Sequence, residues 1–97
     1  MSGALSMAEL VERSAGGDYE AFGQIYAMQM ARIYRYVLCQ VQDKMTAEDI
    51  TEDVFLKAWE AIKYLRGRDK TLLVWLYRIA HNKVADHHRR NNCFQPM

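Results

Sequence analysis

Apolar residues recur along most of this chain at the three- and four-residue spacing of an α-helix, with polar residues between them. Four such segments follow one another. Residues 6–15 form a short helix with Leu10 and Val11 on its apolar side. Ser6 and Glu9 stand in the S-x-x-E arrangement, in which each side chain satisfies a free N–H at the helix start, and Gly16-Gly17 ends the segment. Asp18 caps a second helix over 19–41. Its stripe is Phe22, Tyr26, Met30, Ile33, Val37 and Val41, widened by Ile25, Tyr34 and Leu38, broad enough to pack against two neighbours. Residues 42–45 connect to a third helix, opened by the T-x-x-D pair Thr46 and Asp49 and running to about residue 64. Its buried stripe is Ile50, Val54, Ala58, Ile62 and Leu65, flanked by Phe55 and Trp59. The fourth helix, residues 71–90, is about twenty residues and roughly 30 Å long. Thr71 caps it, and Leu72, Leu76, Ile79 and Ala80 face the core. The spacing predicts an all-α fold: a compact bundle of one short N-terminal helix and three long ones, with a frayed tail at 91–97.

Ninety-seven residues suffice for one modest core, and one Pro with five Gly leaves little loop. The net charge of +1 conceals a split. Residues 1–62 carry five Lys/Arg against ten Asp/Glu, whereas residues 63–97 carry eight against two. Such a division predicts two surfaces for two partners, the basic one suited to nucleic acid. Cys39 and Cys93 are far apart and form no C-x-x-C pair, which argues against a disulfide framework or zinc site and for a reducing cytoplasm. The first ten residues lack the basic and apolar regions of a signal peptide, and no apolar run has the length of a membrane span.

The fourth helix carries the most suggestive chemistry. Trp75, Arg78 and Asn82 lie at i, i+3 and i+7 and share a face, Arg89 continues it, and Lys83 and Arg90 sit beside it. An aromatic among cations suits a nucleic-acid strand, the ring stacking on a base while the cations follow phosphates. The same pattern also describes a core Trp ringed by solvated charges. The preceding connector, RGRDK, adds Arg66, Arg68 and Lys70 to the positive surface, and Gly67 lets its backbone approach a ligand. On the third helix Asp49, Glu52 and Asp53 crowd one turn. The helix dipole offsets part of that repulsion, and the group also reads as an acidic docking face for a basic partner.

Other chemistry finds little support. The chain has no Gly-rich phosphate loop and no cofactor motif. His81 and His88 share a helix face but lie two turns, about 10 Å, apart, too far to hold one metal ion. The carboxylates of the third helix have no nucleophile near them in sequence, so a non-enzymatic role is expected.

AEDITEDVFLKAWEAI followed by WLYRIAHNKVADHHRR resembles region 2 of bacterial sigma factors of the extracytoplasmic-function group, and EAFGQIYAMQMARIYRYV resembles the first helix of that region. The likeness spans about residues 18–90, most of the chain, and its most specific part is the ordered set A-E-D-x-x-x-[ED]-x-F-L-K-A-W, then W-L-Y-R-I-A-x-N and a closing R-R. The resemblance implies a single region 2 domain over 1–97, without the second, helix-turn-helix domain, and so either a piece of a longer factor, the favoured reading, or a lone domain with reduced promoter reading. It implies a transcription initiation factor whose third helix, through Asp49, Glu52 and Asp53, docks on the clamp coiled coil of the largest RNA polymerase subunit. It also implies that the connector and fourth helix meet the promoter minus-ten element, open it and hold a flipped non-template base. By position, Trp75, Arg78 and Asn82 then lie on the DNA side, with Arg66, Arg68, Lys70, Lys83, Arg89 and Arg90 supporting the backbone. An anti-sigma factor is a further implied partner. The sequence departs from the family at Leu72-Leu73-Val74, where an aromatic, a polar or basic and a small residue are usual, and at Glu52, where Gln is common.

Two other readings compete. The apolar triplet Leu72-Leu73-Val74 fits a helical protein-interaction module, held by an anti-sigma factor or acting as a decoy, without promoter reading. A helix-turn-helix duplex binder fits the long capped helices less well.

Overall fold

End-capping sets the helix boundaries. In the computed structural model, which describes residues 6–65 and 72–93 apart from the side chains of 65 and 91–93, α1 spans Met7–Ala15. Ser6 Oγ accepts from the Glu9 N–H at 3.1 Å, and Glu9 Oε1 accepts from the Ser6 N–H at 2.9 Å, completing the expected reciprocal cap. At the other end the Asp18 N–H donates to the Arg13 carbonyl at 2.9 Å and the Gly17 N–H to the Ser14 carbonyl at 3.0 Å. This Schellman closure requires a left-handed residue, and Gly17 supplies it at φ 100°. Asp18 then caps α2, Tyr19–Val41, through the Ala21 N–H at 3.1 Å.

The corner after α2 is tighter than the sequence suggested. Gln42 takes the left-handed conformation at φ 58°, and Asp43, not Thr46, caps α3, Lys44–Ala61. Asp43 Oδ2 accepts from both the Thr46 N–H at 2.9 Å and the Thr46 hydroxyl at 2.6 Å. A carboxylate that accepts two hydrogen bonds in the first turn outcompetes a threonine three residues later. Those bonds, the hydroxyl's first, hold the Asp43 carboxyl below its ordinary pKa. The third helix also ends early, tightening into a 3₁₀ turn at Ile62–Leu65. The last helix, α4, spans Leu72–Cys93, three residues beyond the expected end at Arg90. The Thr71 cap, the RGRDK connector and residues 94–97 lie outside the described residues.

The bundle closes on one apolar cluster that includes Leu10, Val11, Ile25, Ile33, Val54 and Leu76. The second helix packs against α1, α3 and α4, and α3 packs against α4. Ile50, Val54, Ala58 and Ile62 are buried as expected, as are Leu72, Leu76 and Ala80. Ile79 is half-buried instead, and Val84 takes the fourth core position of α4. Tyr26 and Met30 also depart from the expected stripe and stand exposed. Both line the α2–α3 cleft with Tyr34, Glu48, Thr51 and Glu52, and Tyr26 also meets the Phe55 ring edge to face at 4.9 Å, so each is covered on one side only. The described helices and the absence of any strand among the described residues bear out the all-α fold. None of these helices is long and apolar enough to cross a membrane.

Three variants check this account. Leu76→Ala empties a fully buried core position of α4, and should cost about 2–5 kcal/mol in denaturant unfolding. Leu56→Ala, on the exposed side of α3, should change stability by under about 0.5 kcal/mol. Asp43→Ala should lower Tm at neutral pH. Because the folded-state pKa of Asp43 is depressed, its stabilisation is complete above the unfolded carboxylate value of about 4 and is lost as pH falls through the folded value. The Tm gap between variant and wild type should therefore close on acidification; a gap that persisted unchanged to about pH 2 would show that the cap does not act through its charge.

Candidate nucleic-acid and partner interface

The fourth helix packs against both α2 and α3, and that placement decides where each of its side chains points. Leu72, Leu76, Ala80 and Val84, each four residues apart, turn into the core. Arg78, Asn82 and Arg89 consequently form an exposed outer ridge. Trp75, at the N-terminal end of that ridge, is half-buried: the indole packs partly against the core and keeps part of its surface in solvent. The core and stacking readings of Trp75 are thus compatible, one for each part of the ring. Of the departing triplet, Leu72 is buried, Leu73 half-buried and only Val74 largely exposed.

Two grooves flank the ridge. Arg78 turns toward α2, where it shares an open groove of about 1030 Å³ with Arg32, Arg35, Tyr36, Tyr77 and His81. The Tyr36 and Tyr77 rings meet edge to face at 5.4 Å, and the Tyr36 hydroxyl lies 3.4 Å from His81 Nδ1, tying α2 to α4 at the base of this groove. Lys83 and Arg90 turn the other way, toward α3, into a groove of about 420 Å³ that also takes Asp49, Asp53, Asp86 and His87. Arg89 is hydrogen-bonded to Asp86 one turn before it, so this guanidinium already has an anionic partner.

The acidic group on α3 is therefore divided. Asp49, Glu52 and Asp53 are all exposed, but Asp49 and Asp53 line the groove shared with α4, whereas Glu52 lines the cleft toward α2. The expected separation of acidic and basic faces does not hold in full, because Asp49 and Asp53 share a groove with Lys83 and Arg90. The physical reason is helical: residues four apart on two packed helices line one seam, whatever their charge.

Residue-by-residue reading missed two features. Arg32 and Arg35 fall within the acidic half of the sequence, although their spacing places them on one exposed face of α2. The other is an aromatic cleft of about 330 Å³ between α2 and α3, lined by Tyr19, Phe22, Tyr26, Phe55, Leu56 and Trp59. Trp59 stands 5.2 Å from both Tyr19 and Phe22, and Tyr26 stands 4.9 Å from Phe55. Tyr19 is 72% exposed and Leu56 59% exposed, so the cleft opens to solvent. Among the described residues no group of three or more His, Cys, Asp or Glu side chains is placed to hold a metal ion.

Comparison with known proteins places this arrangement. The chain is 42% identical over 81 residues to the ECF RNA polymerase sigma factor BldN of Streptomyces coelicolor, a match covering 84% of the chain and 31% of that protein. It is 35% identical over 79 residues to the RNA polymerase sigma-H factor of Pseudomonas aeruginosa, covering 81% of the chain and 40% of the relative. It is 29% identical over 77 residues to the ECF RNA polymerase sigma factor SigK of Mycobacterium tuberculosis, covering 79% and 41%. The chain thus spans between about a third and two-fifths of the length of these relatives. No solved structure matches it significantly. The sigma-70 region 2 profile matches residues 25–93, which take in most of α2 and all of α3 and α4, and the chain belongs to that family.

Proposed function

We propose that this chain is the polymerase-docking and promoter-opening module of a sigma factor of the extracytoplasmic-function type. The observation that carries the reading is the outer ridge of α4, where a part-exposed indole, a guanidinium and a carboxamide stand in line with the core behind them. Extruding a base from a duplex costs a few kcal/mol in lost stacking and pairing, which a stacking surface can recover. Trp75 supplies that surface, Arg78 the nearby cation and Asn82 a donor and acceptor for a base edge. Lys83, Arg89 and Arg90 serve the phosphate backbone, Arg89 after exchanging Asp86 for a phosphate. Arg66, Arg68 and Lys70 extend this surface on the proposal, though they lie outside the described residues.

The exposed carboxylates Asp49, Glu52 and Asp53 form the docking face for the clamp coiled coil of the largest polymerase subunit. Charge complementarity of this kind steers encounter and fixes register. A domain with net charge of only +1 makes too few phosphate contacts to bind DNA tightly by itself. Docking on polymerase raises the effective concentration of promoter DNA and makes weak contacts sufficient. An anti-sigma factor that covered the same surface would hold the module inactive.

A second reading, a protein-interaction module without promoter contact, draws support from the solvent-open aromatic cleft between α2 and α3. The two readings part on a single assay. Polymerase core carrying this chain should retain a single-stranded minus-ten oligonucleotide, and Trp75→Ala should weaken that retention by roughly 5- to 150-fold, the worth of one stacked base. Trp75→Phe should recover much of the loss, and polymerase binding should stay within about twofold. Equal loss of polymerase and oligonucleotide would show that the indole serves the fold alone. No retention by the wild type would favour the interaction module. In a pull-down on the isolated clamp coiled coil, Asp53→Arg should reduce capture at least tenfold at low salt, with the difference shrinking as salt rises. Equal capture of both proteins would remove α3 from the docking face.

A further inference from the structure

We infer that the groove between α2 and α4 is a binding site for a small polyphosphate of the nucleoside triphosphate class, its phosphates held by Arg32, Arg35 and Arg78 and its base set against the Tyr36–Tyr77 pair. The free chain holds this ligand whether or not it reads a promoter. Only the consequence rests on the proposed function: Arg78 also belongs to the ridge of α4, so an occupied groove withholds it from a DNA strand. The first observation is the charge lining the groove. Arg32 and Arg35 lie one turn apart on α2, Arg78 stands on the α4 side, and no Asp or Glu lines the space among them. None of the three makes an ion pair among the described residues. The other candidate cations of α4 differ: Arg89 is held by Asp86, while Lys83 and Arg90 share their groove with three carboxylates. Grouping three permanent cations without a counter-charge is unfavourable in the free protein, and a compact anion relieves it.

Size and ring placement narrow the ligand. The groove is a trough of about 1030 Å³ open to solvent. That is at the top of the roughly 300–1,000 Å³ span of small-molecule sites, and far more than a lone phosphate fills. The Tyr36 and Tyr77 rings meet edge to face at 5.4 Å, and the Tyr36 hydroxyl lies 3.4 Å from His81 Nδ1, which fixes an aromatic base between the two helices. Both rings are half-buried and line the trough, so each keeps part of its surface for a ligand. A flat heteroaromatic base covers such a surface, while planar guanidiniums engage phosphate oxygens bidentately. A polyphosphate chain carries several charges within a few ångströms, matching three arginines in one trough. A sulfate or a single carboxylate satisfies one guanidinium and leaves the rings bare.

The test is isothermal titration of GTP, ATP and inorganic tripolyphosphate into the free chain at low salt. GTP or ATP should bind with Kd below about 1 mM. Tripolyphosphate should bind at least about fivefold more weakly, because it has no base to stack. Arg32→Gln/Arg35→Gln should weaken nucleotide binding at least about tenfold, the effect of losing hydrogen bonds to a charged group. Arg32→Lys/Arg35→Lys should fall between, since the charges remain and the planar forks do not. Both side chains are exposed, so Tm should match the wild type and the loss is not one of folding. Absence of binding at millimolar nucleotide, or equal Kd for the glutamine pair and the wild type, would overturn the site. Displacement of GTP by sodium sulfate as effective as by ATP at matched ionic strength would do the same. Tripolyphosphate binding as tightly as GTP would overturn the nucleotide assignment in favour of inorganic polyphosphate. The consequence is read separately, on polymerase core carrying the chain and a single-stranded minus-ten oligonucleotide. GTP should release the strand from the wild type at lower concentration than from the glutamine pair, the polymerase's own nucleotide sites being common to both. Release at equal concentrations would overturn the competition. A wild type that retains no strand at all would overturn the proposed function, while the titrations on the free chain still decide the site.

Discussion

The arrangement depends on how α4 is seated. Leu72, Leu76, Ala80 and Val84 form a narrow apolar seam, one residue per turn, on the side of α4 that packs against α2 and α3. A seam that narrow leaves most of the helix surface outside the core, and Ala80 in its middle lets the neighbouring backbones come close. The polar positions then have no freedom of placement: those opposite the seam become the ridge, and those beside it become the edges of two grooves. The exposure of Arg78 and Asn82 is therefore a consequence of packing, and any change that rotated the seam would turn the functional face with it.

The same seating brings unlike charges together. The groove on the α3 side joins Asp49 and Asp53 to Lys83 and Arg90, while the groove on the α2 side is basic without compensation. In the free protein the first groove is nearly self-neutralised, which weakens its pull on DNA. On the proposed reading, a basic polymerase surface arriving at Asp49 and Asp53 competes with Lys83 and Arg90 for the carboxylates and leaves those cations freer to meet phosphate. Polymerase binding and DNA binding then favour each other through shared charges, without movement of a helix, and linkage makes the effect mutual.

Much of the fold was legible in the sequence because caps and periodicity are local. Ser6 with Glu9, Gly17 and Asp18 each act within a few residues of themselves, and the structure repeats them. The start of α3 was misplaced because two capping residues lie three apart, and the choice between Asp43 and Thr46 depends on the left-handed turn at Gln42, which periodicity does not encode. Tyr26 and Met30 belong to the apolar stripe by spacing yet stand exposed, because helical spacing says which residues share a face but not how far a neighbouring helix covers it.

The candidate site divides along the same line. The ridge of α4 was readable because Trp75, Arg78 and Asn82 sit on one helix, where spacing alone determines their common face. The trough toward α2 was not, since Arg32 and Arg35 lie more than forty residues before Arg78 and meet it only once the bundle has closed. Counting charge by halves of the sequence even hid them among carboxylates that the fold sends elsewhere: Glu48 and Glu52 line the cleft toward Tyr26 and Tyr34, away from the trough. Electrostatic surfaces of a helical bundle belong to grooves between elements, so their sign follows from which helices pack together and through which seams. In this chain the two narrow faces of α4 that touch α2 and α3 decide it, and the bare arginine trough on one side and the mixed-charge groove on the other follow from that single choice.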